Sequence, residues 1–262
     1  MAEILVLVDH VDGEVKKVTF ELLTLARRFG DAAAVWVGPG YEGAKDRLAE
    51  YGAVKVYIAA EEELTSYVVA PKAELLAQLV ADRSPAAVLV AATAEGKEIA
   101  GRLAVKTGSG VLTDVVGLAD GFVGEHSIFG GAIVSHAKVT KGTPIIAVRP
   151  NSTAPEAAAS TPEEEQVSVS LSDAAKGARV VEKINEPRYP SFKGIMAAKK
   201  KPVEKFAVAD AEIDAALVGL AGAASEVVDF ADAPPREKGQ IVKDEGDGGV
   251  KVAEFLASKK FI

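Results

Sequence analysis

Residues Ala87–Lys97, with the sequence AVLVAATAEGK, show how this chain folds. Ala87–Ala92 is an uninterrupted apolar run, which is typical of a strand that is buried on both faces of a parallel sheet. Thr93 is a residue type that caps helix N-termini, and the acidic Glu95 suits the first turn of a helix. We therefore predict a strand that leads directly into a helix over Ile99–Lys106, which is the start of a βαβ unit.

The same alternation continues on both sides of this stretch. Strands are predicted at Ile4–Val8, Ala32–Val37 and Lys55–Ala59, with helices at residues 15–29, Gly43–Tyr51 and Lys72–Ala81. Further strands are predicted at Val115–Leu118, Phe122–Phe129, Ala132–Val139 and Pro144–Val148, of which the middle two form a hairpin. We expect an α/β fold: a doubly wound, mostly parallel sheet with antiparallel margin strands supplied by that hairpin.

The last part of the chain is less regular. We predict a surface loop at Asn151–Glu165, an edge strand at Val167–Leu171, a helix within Phe206–Leu220, a strand at Val227–Phe230 and a final helix within Gly246–Lys260. The edge strand is predicted because VSVSL alternates strictly between apolar and polar residues. Between these elements, Lys183–Pro202 contains three prolines and a lysine triplet and marks a break in composition.

Composition narrows the classes of function. The 262 residues carry a net charge of −8, which gives no general attraction to nucleic acid or to an anionic membrane. There are no cysteines, so disulfides and thiolate sites are excluded, and a cytoplasmic location is expected. No apolar run approaches the roughly 18 residues that a spanning helix needs. No P-loop or Gly-x-Ser-x-Gly motif occurs, so a self-contained hydrolase or kinase is not expected.

Two sets of polar residues have alternative interpretations. Residues Thr93–Lys97 follow a buried strand and begin a helix, where backbone amides can bind a phosphate. The alternative is an ordinary N-cap, because Glu95 and Glu98 would repel an anion and only Lys97 opposes them. His126 and His136 alternate with apolar neighbours, so we interpret them as strand-face side chains rather than metal ligands.

Several segments of the first 180 residues resemble one known domain. These segments are MAEILVLVDHVDGEVKKVTFELLTLAR at the N-terminus, VLVAATAEGKEIAGRLAVKTGSGVLTDVV after residue 87, and the shorter HSIFGGA and TPIIAVRP. They resemble the N-terminal domain of the electron-transfer flavoprotein alpha subunit. The resemblance implies an adenine-nucleotide-hydrolase-like α/β domain that holds no nucleotide of its own. The second alpha domain of the family, which holds most of the FAD, has no counterpart in this sequence.

The sequence after residue 182 resembles a different subunit. KINEPRYPSFKGIMAAKKKP, at 183–202, and VKDEGDGGVKVAEFLASKKFI, at 242–262, are similar to the partner-recognition segment and the C-terminal end of the electron-transfer flavoprotein beta subunit. We therefore predict an alpha-like sheet domain over residues 1–182. A beta-like recognition segment with an extended C-terminal arm is predicted over residues 183–262. The chain is interpreted as an alpha–beta hybrid or as an unusual natural relative.

The beta resemblance implies a surface that docks acyl-CoA dehydrogenases. Phe192 corresponds to the apolar residue that inserts into a pocket of the dehydrogenase, and an aromatic side chain near prolines loses little entropy on binding. The predicted docking residues are Tyr189, Pro190, Phe192, Ile195, Met196, Lys199, Lys200 and Lys201. In the alternative interpretation, Phe192 packs in its own core and the lysines form a solvated helix end.

The resemblance also carries expectations about cofactors. FAD is expected to be shared with a partner flavin domain rather than held by this chain alone. The beta subunit also binds AMP, but here the corresponding loops read DHVDGE and ATAEGKEIA, without repeated glycines, which argues against AMP at its usual strength. The candidate cofactor-binding residues are Asp9, Thr93, Ala94, Gly96 and Lys97.

The leading hypothesis is therefore an electron-carrier subunit rather than an enzyme. It would pair with a subunit that carries a flavin domain and pass electrons from acyl-CoA and other primary dehydrogenases to the respiratory chain. The alternatives are an adenine-nucleotide-binding α/β module and a ligand-free scaffold.

Overall fold

The computed structural model describes residues 2–11, 13–178, 196–211, 214, 216, 218–234 and 247–258. The strands are β1 (Glu3–Leu7), β2 (His10–Val11), β3 (Glu14–Val15), β4 (Asp31–Val37), β5 (Lys55–Ala59), β6 (Ala87–Ala91), β7 (Val111–Val115), β8 (Gly117–Ala119), β9 (Val123–Ile128), β10 (Ile133–Val139), β11 (Ile145–Val148), β12 (Glu163–Gln166) and β13 (Ser225–Asp232). The helices are α1 (Lys17–Ala26), α2 (Tyr41–Glu50), α3 (Glu63–Ser66), α4 (Ala70–Arg83), α5 (Ala94–Thr107), α6 (Gly219–Gly222) and α7 (Gly248–Ser258).

Seven strands form a parallel sheet in the order β12-β5-β4-β1-β6-β11-β7. The chain starts at the centre with β1, adds β4 and β5 on one side, and then crosses to β6 on the other side. This reversal of direction makes the space beyond the ends of β1 and β6 the topological switch point. The predicted doubly wound, mostly parallel sheet is confirmed.

The five inner strands of the sheet (β12 and β7 are its edges) are buried on both faces, which explains their continuous apolar sequences. Ile4 and Val6 face one core with side chains of α1 and α2, while Leu5 and Leu7 face a second core with side chains of α4 and α5. Trp36 on β4 is completely buried in the first core. Burial of each large apolar side chain contributes about 1.5–3 kcal/mol, so the two layers account for the main driving force of folding.

The predicted hairpin is present as β9 and β10, but it does not extend the parallel sheet. It forms a separate four-stranded antiparallel sheet in the order β13-β10-β9-β8. This second sheet lies beside β7: Ala137 shares a core with Leu112 and Val115, and a Cβ atom added to Gly124 would lie 2.9 Å from Leu112. The outer strand, β13, comes from the beta-like part of the sequence.

Two predicted elements are wrong in position. The edge strand is Glu163–Gln166, which begins within the predicted loop and ends one residue beyond it, and residues 167–171 are irregular. The acidic strand is stable there because Lys55 on β5 forms ion pairs with Glu163 and Glu165. The strand predicted at Val115–Leu118 is divided, because β7 ends at Val115 and the chain turns into β8.

The C-terminal elements have little core of their own. Among the described residues after 195, none has a buried side chain. The predicted strand and final helix are confirmed as β13 and α7. The predicted helix within Phe206–Leu220 is not continuous: its described residues include a 3₁₀ turn at Val208–Ala211 and the start of α6. Asp210 and Gly219 interrupt the Ala- and Leu-rich pattern, and both are poor helix formers.

Candidate functional site

The switch point between β1 and β6 brings together three of the five predicted cofactor-binding residues. Asp9 follows β1, and Thr93 and Gly96 begin α5; all three line one cleft at the ends of the strands. Ala94 is the first residue of α5 but does not line this cleft. The Lys97 ammonium lies 3.8 Å from the carboxylate of Asp114 on β7, so Lys97 does not join the other residues.

Thr93 and Gly96 have structural roles in starting α5. The Thr93 hydroxyl oxygen accepts a hydrogen bond of 3.0 Å from the Gly96 backbone amide, which confirms the predicted N-cap. A Cβ atom on Gly96 would lie only 1.9 Å from the backbone oxygen of Ala91. Gly96 therefore lets the helix approach the end of β6, and the amide that an anion would need is already bonded within the protein.

The other polar groups at the cleft are paired. The Asp9 carboxylate lies 2.8 Å from the Lys16 ammonium, and the Asp9 amide donates a hydrogen bond to the hydroxyl of Thr19. Lys72 is paired with Glu95 across the opening. The cleft has a volume of about 30 Å³, which is the space of one water molecule. An adenine nucleotide does not fit between these residues as they are arranged.

A larger cleft of about 460 Å³ lies between β7 and the antiparallel sheet. Leu112, Ile128 and Val227 form part of its apolar wall, and Asp114 lies at one end. Asp114 has a φ angle of 63°, an uncommon backbone conformation for a residue other than glycine. The side chain of Arg149 holds it through two hydrogen bonds, of 3.2 and 2.6 Å. These bonds keep the pKa of the Asp114 carboxyl below its usual value and raise the pKa of Arg149.

His126 also lines this larger cleft, on β9. Burial lowers the pKa of its imidazole, although a hydrogen bond to the backbone of Thr113 and the charge of Asp114 act in the opposite direction. The buried Nε2 atom has no hydrogen-bond partner within the part of the chain that the structure describes. His136 lies on the neighbouring strand β10, so the interpretation of both histidines as strand-face side chains is confirmed.

The docking residues are described only in part. Tyr189, Pro190, Phe192 and Ile195 lie outside the described residues. Met196 is exposed, and a single helical turn follows it, with hydrogen bonds from the Lys200 and Lys201 amides to Ala197 and Ala198. Lys199, Lys200 and Lys201 are all exposed. Their charges are therefore accessible to an acidic surface, which is the property that the docking hypothesis requires.

The residues that the structure describes provide no support for a metal site or for a membrane-spanning helix. These residues include no group of three or more His, Asp or Glu side chains placed to hold a metal ion. Nor does any of the helices described here have both the length and the apolar composition to cross a bilayer.

Comparison with known proteins decides the family. The family model described as "Electron transfer flavoprotein domain" matches residues 4–211, which include all of the parallel sheet except Glu3, the first residue of β1. The chain belongs to the electron transfer flavoprotein family. Within this family, it is 49% identical over 180 residues to the electron transfer flavoprotein subunit alpha of Mycobacterium tuberculosis. It is 34% identical over 155 residues to the subunit alpha of Syntrophomonas wolfei.

A second electron transfer flavoprotein subunit matches a shorter part of the chain. The subunit beta of Mycobacterium leprae is 48% identical over 83 residues. The alpha match covers 68% of this chain and the beta match 32%, so the presence of alpha-like and beta-like parts is confirmed. The chain spans 56% of the length of the mycobacterial alpha subunit and 31% of the beta subunit. The boundary between residues 182 and 183 stays a prediction.

Membership of a flavoprotein family raises the question of FAD. The switch-point cleft does not hold FAD in this arrangement, because its volume is about 30 Å³ and its polar groups are paired. Sequence reasoning identified the Thr93 cap but did not identify the Asp114–Arg149 pair. Asp114 lies on β7 and Arg149 directly follows β11, 35 positions later in the chain, so no local motif could have revealed the pair.

Proposed function

We propose that this chain is a subunit of an electron transfer flavoprotein, acting as an electron carrier rather than an enzyme. FAD would be held only together with the flavin domain of a partner subunit. The observation that carries this proposal is the surface of α7. Val250, Val252 and Phe255 of this helix are 62%, 57% and 48% exposed. Such an apolar helix favours burial against a partner, because exposed apolar area is costly in water.

We further propose that the segment from Tyr189 to Lys201 docks primary dehydrogenases, with acyl-CoA dehydrogenases as the first class to test. The exposed lysines at its end support this proposal, since they would attract an acidic surface and speed the encounter. Phe192 would be the apolar anchor. The redox chemistry would belong to the FAD, and the part played by this chain would be to position the partner domain and the dehydrogenase. The respiratory chain would receive the electrons.

The experiment combines the chain with an alpha-subunit flavin domain, FAD, an acyl-CoA dehydrogenase and its substrate. Reduction of the FAD is followed by loss of its visible absorption at several dehydrogenase concentrations. Phe192→Ala is expected to weaken docking about thirtyfold or more, because central aromatic anchors commonly contribute about 2 kcal/mol or more. Replacement of Lys199, Lys200 and Lys201 by Gln is expected to slow association and to reduce its dependence on salt.

Val203→Ala is the matched control, because Val203 is 84% exposed and lies just beyond the docking residues. It should leave docking unchanged. Equal rates for the parent chain and Phe192→Ala would contradict the docking proposal while leaving the subunit proposal intact. Failure of the parent chain to associate with the flavin domain would contradict the subunit proposal itself.

A further inference from the structure

The cleft between β7 and the antiparallel sheet has apolar walls that are open to solvent. Ile128 of β9 and Val227 of β13 line it and are 37% and 64% exposed, whereas Leu112 and Ala137, which also line it, are buried. Its volume of about 460 Å³ lies within the range of roughly 300–1,000 Å³ that is typical of small-molecule sites. A small molecule in the cleft would remove this apolar surface from water, which is favourable.

Two polar side chains that line the cleft lack hydrogen-bond partners. Ser135 of β10 is 8% exposed, and its hydroxyl forms no hydrogen bond with the residues that the structure describes. Directly opposite it on β9 is His126, whose buried Nε2 atom also has no partner among these residues. Side chains that are opposite each other in an antiparallel pair share one face of the sheet. Since a buried polar group without a partner is costly, both groups favour a ligand that supplies the missing hydrogen bond.

The state of His126 determines which kind of group is missing. Burial lowers the pKa of its imidazole and outweighs a hydrogen bond with the backbone of Thr113, which raises the pKa, so the ring is neutral near pH 7. A bond that raises the pKa is donated by the ring, and Nδ1 is the donor because Nε2 has no partner. In the neutral ring, Nε2 is then a hydrogen-bond acceptor. The missing group is therefore a hydrogen-bond donor.

The charges beside the cleft favour a ligand without net charge. Asp114 lines the cleft, and its carboxylate accepts two hydrogen bonds from Arg149 and lies 3.8 Å from the Lys97 ammonium. A cationic ligand would be repelled by the two basic side chains, and an anionic ligand by the carboxylate. A neutral ligand avoids both repulsions.

We propose that this cleft binds a neutral small molecule that has an apolar body and one hydrogen-bond donor. The body contacts Leu112, Ile128 and Val227, and the donor is directed to Ser135 and His126. Because Val227 belongs to β13, the site is complete only when β13 is paired with β10. The alpha-like and beta-like parts of the chain therefore form the site together. This inference goes beyond the proposed function and requires neither FAD nor a partner subunit.

A fluorinated naphthol and its methyl ether are suitable probes, because they share an apolar body and only the naphthol has a hydrogen-bond donor. Binding of each probe to the full chain at about pH 7 is measured by titration, using the fluorine NMR signal of the probe. The naphthol should bind saturably with a Kd of about 1 mM or tighter, as expected for an apolar fragment of this size. The ether should bind about three- to tenfold more weakly, because it leaves the acceptor unpaired.

Three variants locate the bound probe. Ser135→Ala should weaken binding of the naphthol about threefold or more and leave binding of the ether unchanged. Val227→Ala should weaken binding of both probes about two- to fivefold, because it removes part of the apolar wall. Val228→Ala is the matched control: Val228 is a partly exposed neighbour on β13 that does not line the cleft, so both affinities should stay as in the parent.

Urea unfolding, followed through the buried Trp36, verifies that each variant is folded like the parent. The absence of saturable binding, or equal affinities of the parent for the naphthol and the ether, would overturn the proposal. So would equal losses for the two probes in Ser135→Ala, or a loss in Val228→Ala as large as that in Val227→Ala.

Discussion

Replacement of Gly96 by alanine tests whether this residue serves the packing of α5. The added Cβ atom would lie 1.9 Å from the backbone oxygen of Ala91 and 3.3 Å from the Thr93 hydroxyl. A backbone oxygen cannot rotate away, so the helix must move away from β6 by about an ångström or more to reach an ordinary contact. That movement would also disturb the bond between Thr93 and the amide of residue 96.

The size of the effect follows from three contributions, two that destabilise the fold and one that stabilises it. Overpacking of a well-filled site costs about 1–3 kcal/mol. Loss of the Thr93 cap would add about 1 kcal/mol, whereas the better helix propensity of alanine returns up to about 1 kcal/mol. The expected net loss for Gly96→Ala is about 1–3 kcal/mol of unfolding free energy. For a chain of this size, this corresponds to a fall in Tm of roughly 3–10 °C.

Gly101→Ala is the control on the same helix. No atom lies within 4 Å of a Cβ atom placed on Gly101, so this variant should gain up to about 1 kcal/mol from helix propensity alone. Both variants are compared with the parent by urea unfolding, using the buried Trp36 as the probe. If Gly96→Ala is as stable as the parent, or is stabilised like Gly101→Ala, the close approach of α5 to β6 is wrong.

Two further predictions concern charged residues between elements. Burial raises the pKa of Glu74, but hydrogen bonds from Lys106 and Ser172 outweigh burial and bring it to about 2, below its ordinary 4.5. Ionised Glu74 therefore stabilises the fold above about pH 4.5, and this contribution is lost as pH falls towards 2. In the variant Glu74→Gln, the urea midpoint of unfolding should fall less on acidification than it does in the parent. The control variant Glu98→Gln changes an exposed residue of α5 and should show the same fall as the parent. Lys55→Gln should reduce the hydrogen-exchange protection of the β12 amides by about 1 kcal/mol, because it leaves two glutamates of that strand without their shared cation. Unchanged protection of these amides would contradict the role of Lys55.

The inner strands of the central sheet could be predicted because they are largely apolar. A run such as Ile4–Val8 has no solvated face and therefore requires helices on both sides. The acidic strand β12 could not be predicted in this way. Its stability depends on Lys55 and on Arg83, which belong to other elements of the chain. The alternating residues at 167–171 suggested a strand, but their apolar side chains instead lie against the core formed with α4 and α5.

The candidate sites were predictable only where a local pattern defines them. The Thr93 cap follows from the residue type and its place before a helix. Closure of the switch-point cleft could not be predicted, because it requires Lys72 of α4 to reach Glu95 of α5. The pairing of β13 with β10 was hidden for a similar reason: the two strands come from differently related parts of the chain and share no local signal.

Equilibrium binding of FAD measures most directly whether this chain serves as a flavoprotein subunit. FAD is titrated into the purified chain alone, into an alpha-subunit flavin domain alone, and into an equimolar mixture, and bound flavin is measured after gel filtration. The account predicts no retained flavin with the chain alone. It predicts about one FAD for each complex in the mixture, where the chain and the flavin domain elute together. Stoichiometric FAD on the chain alone, or a mixture that elutes as two separate proteins, would contradict it.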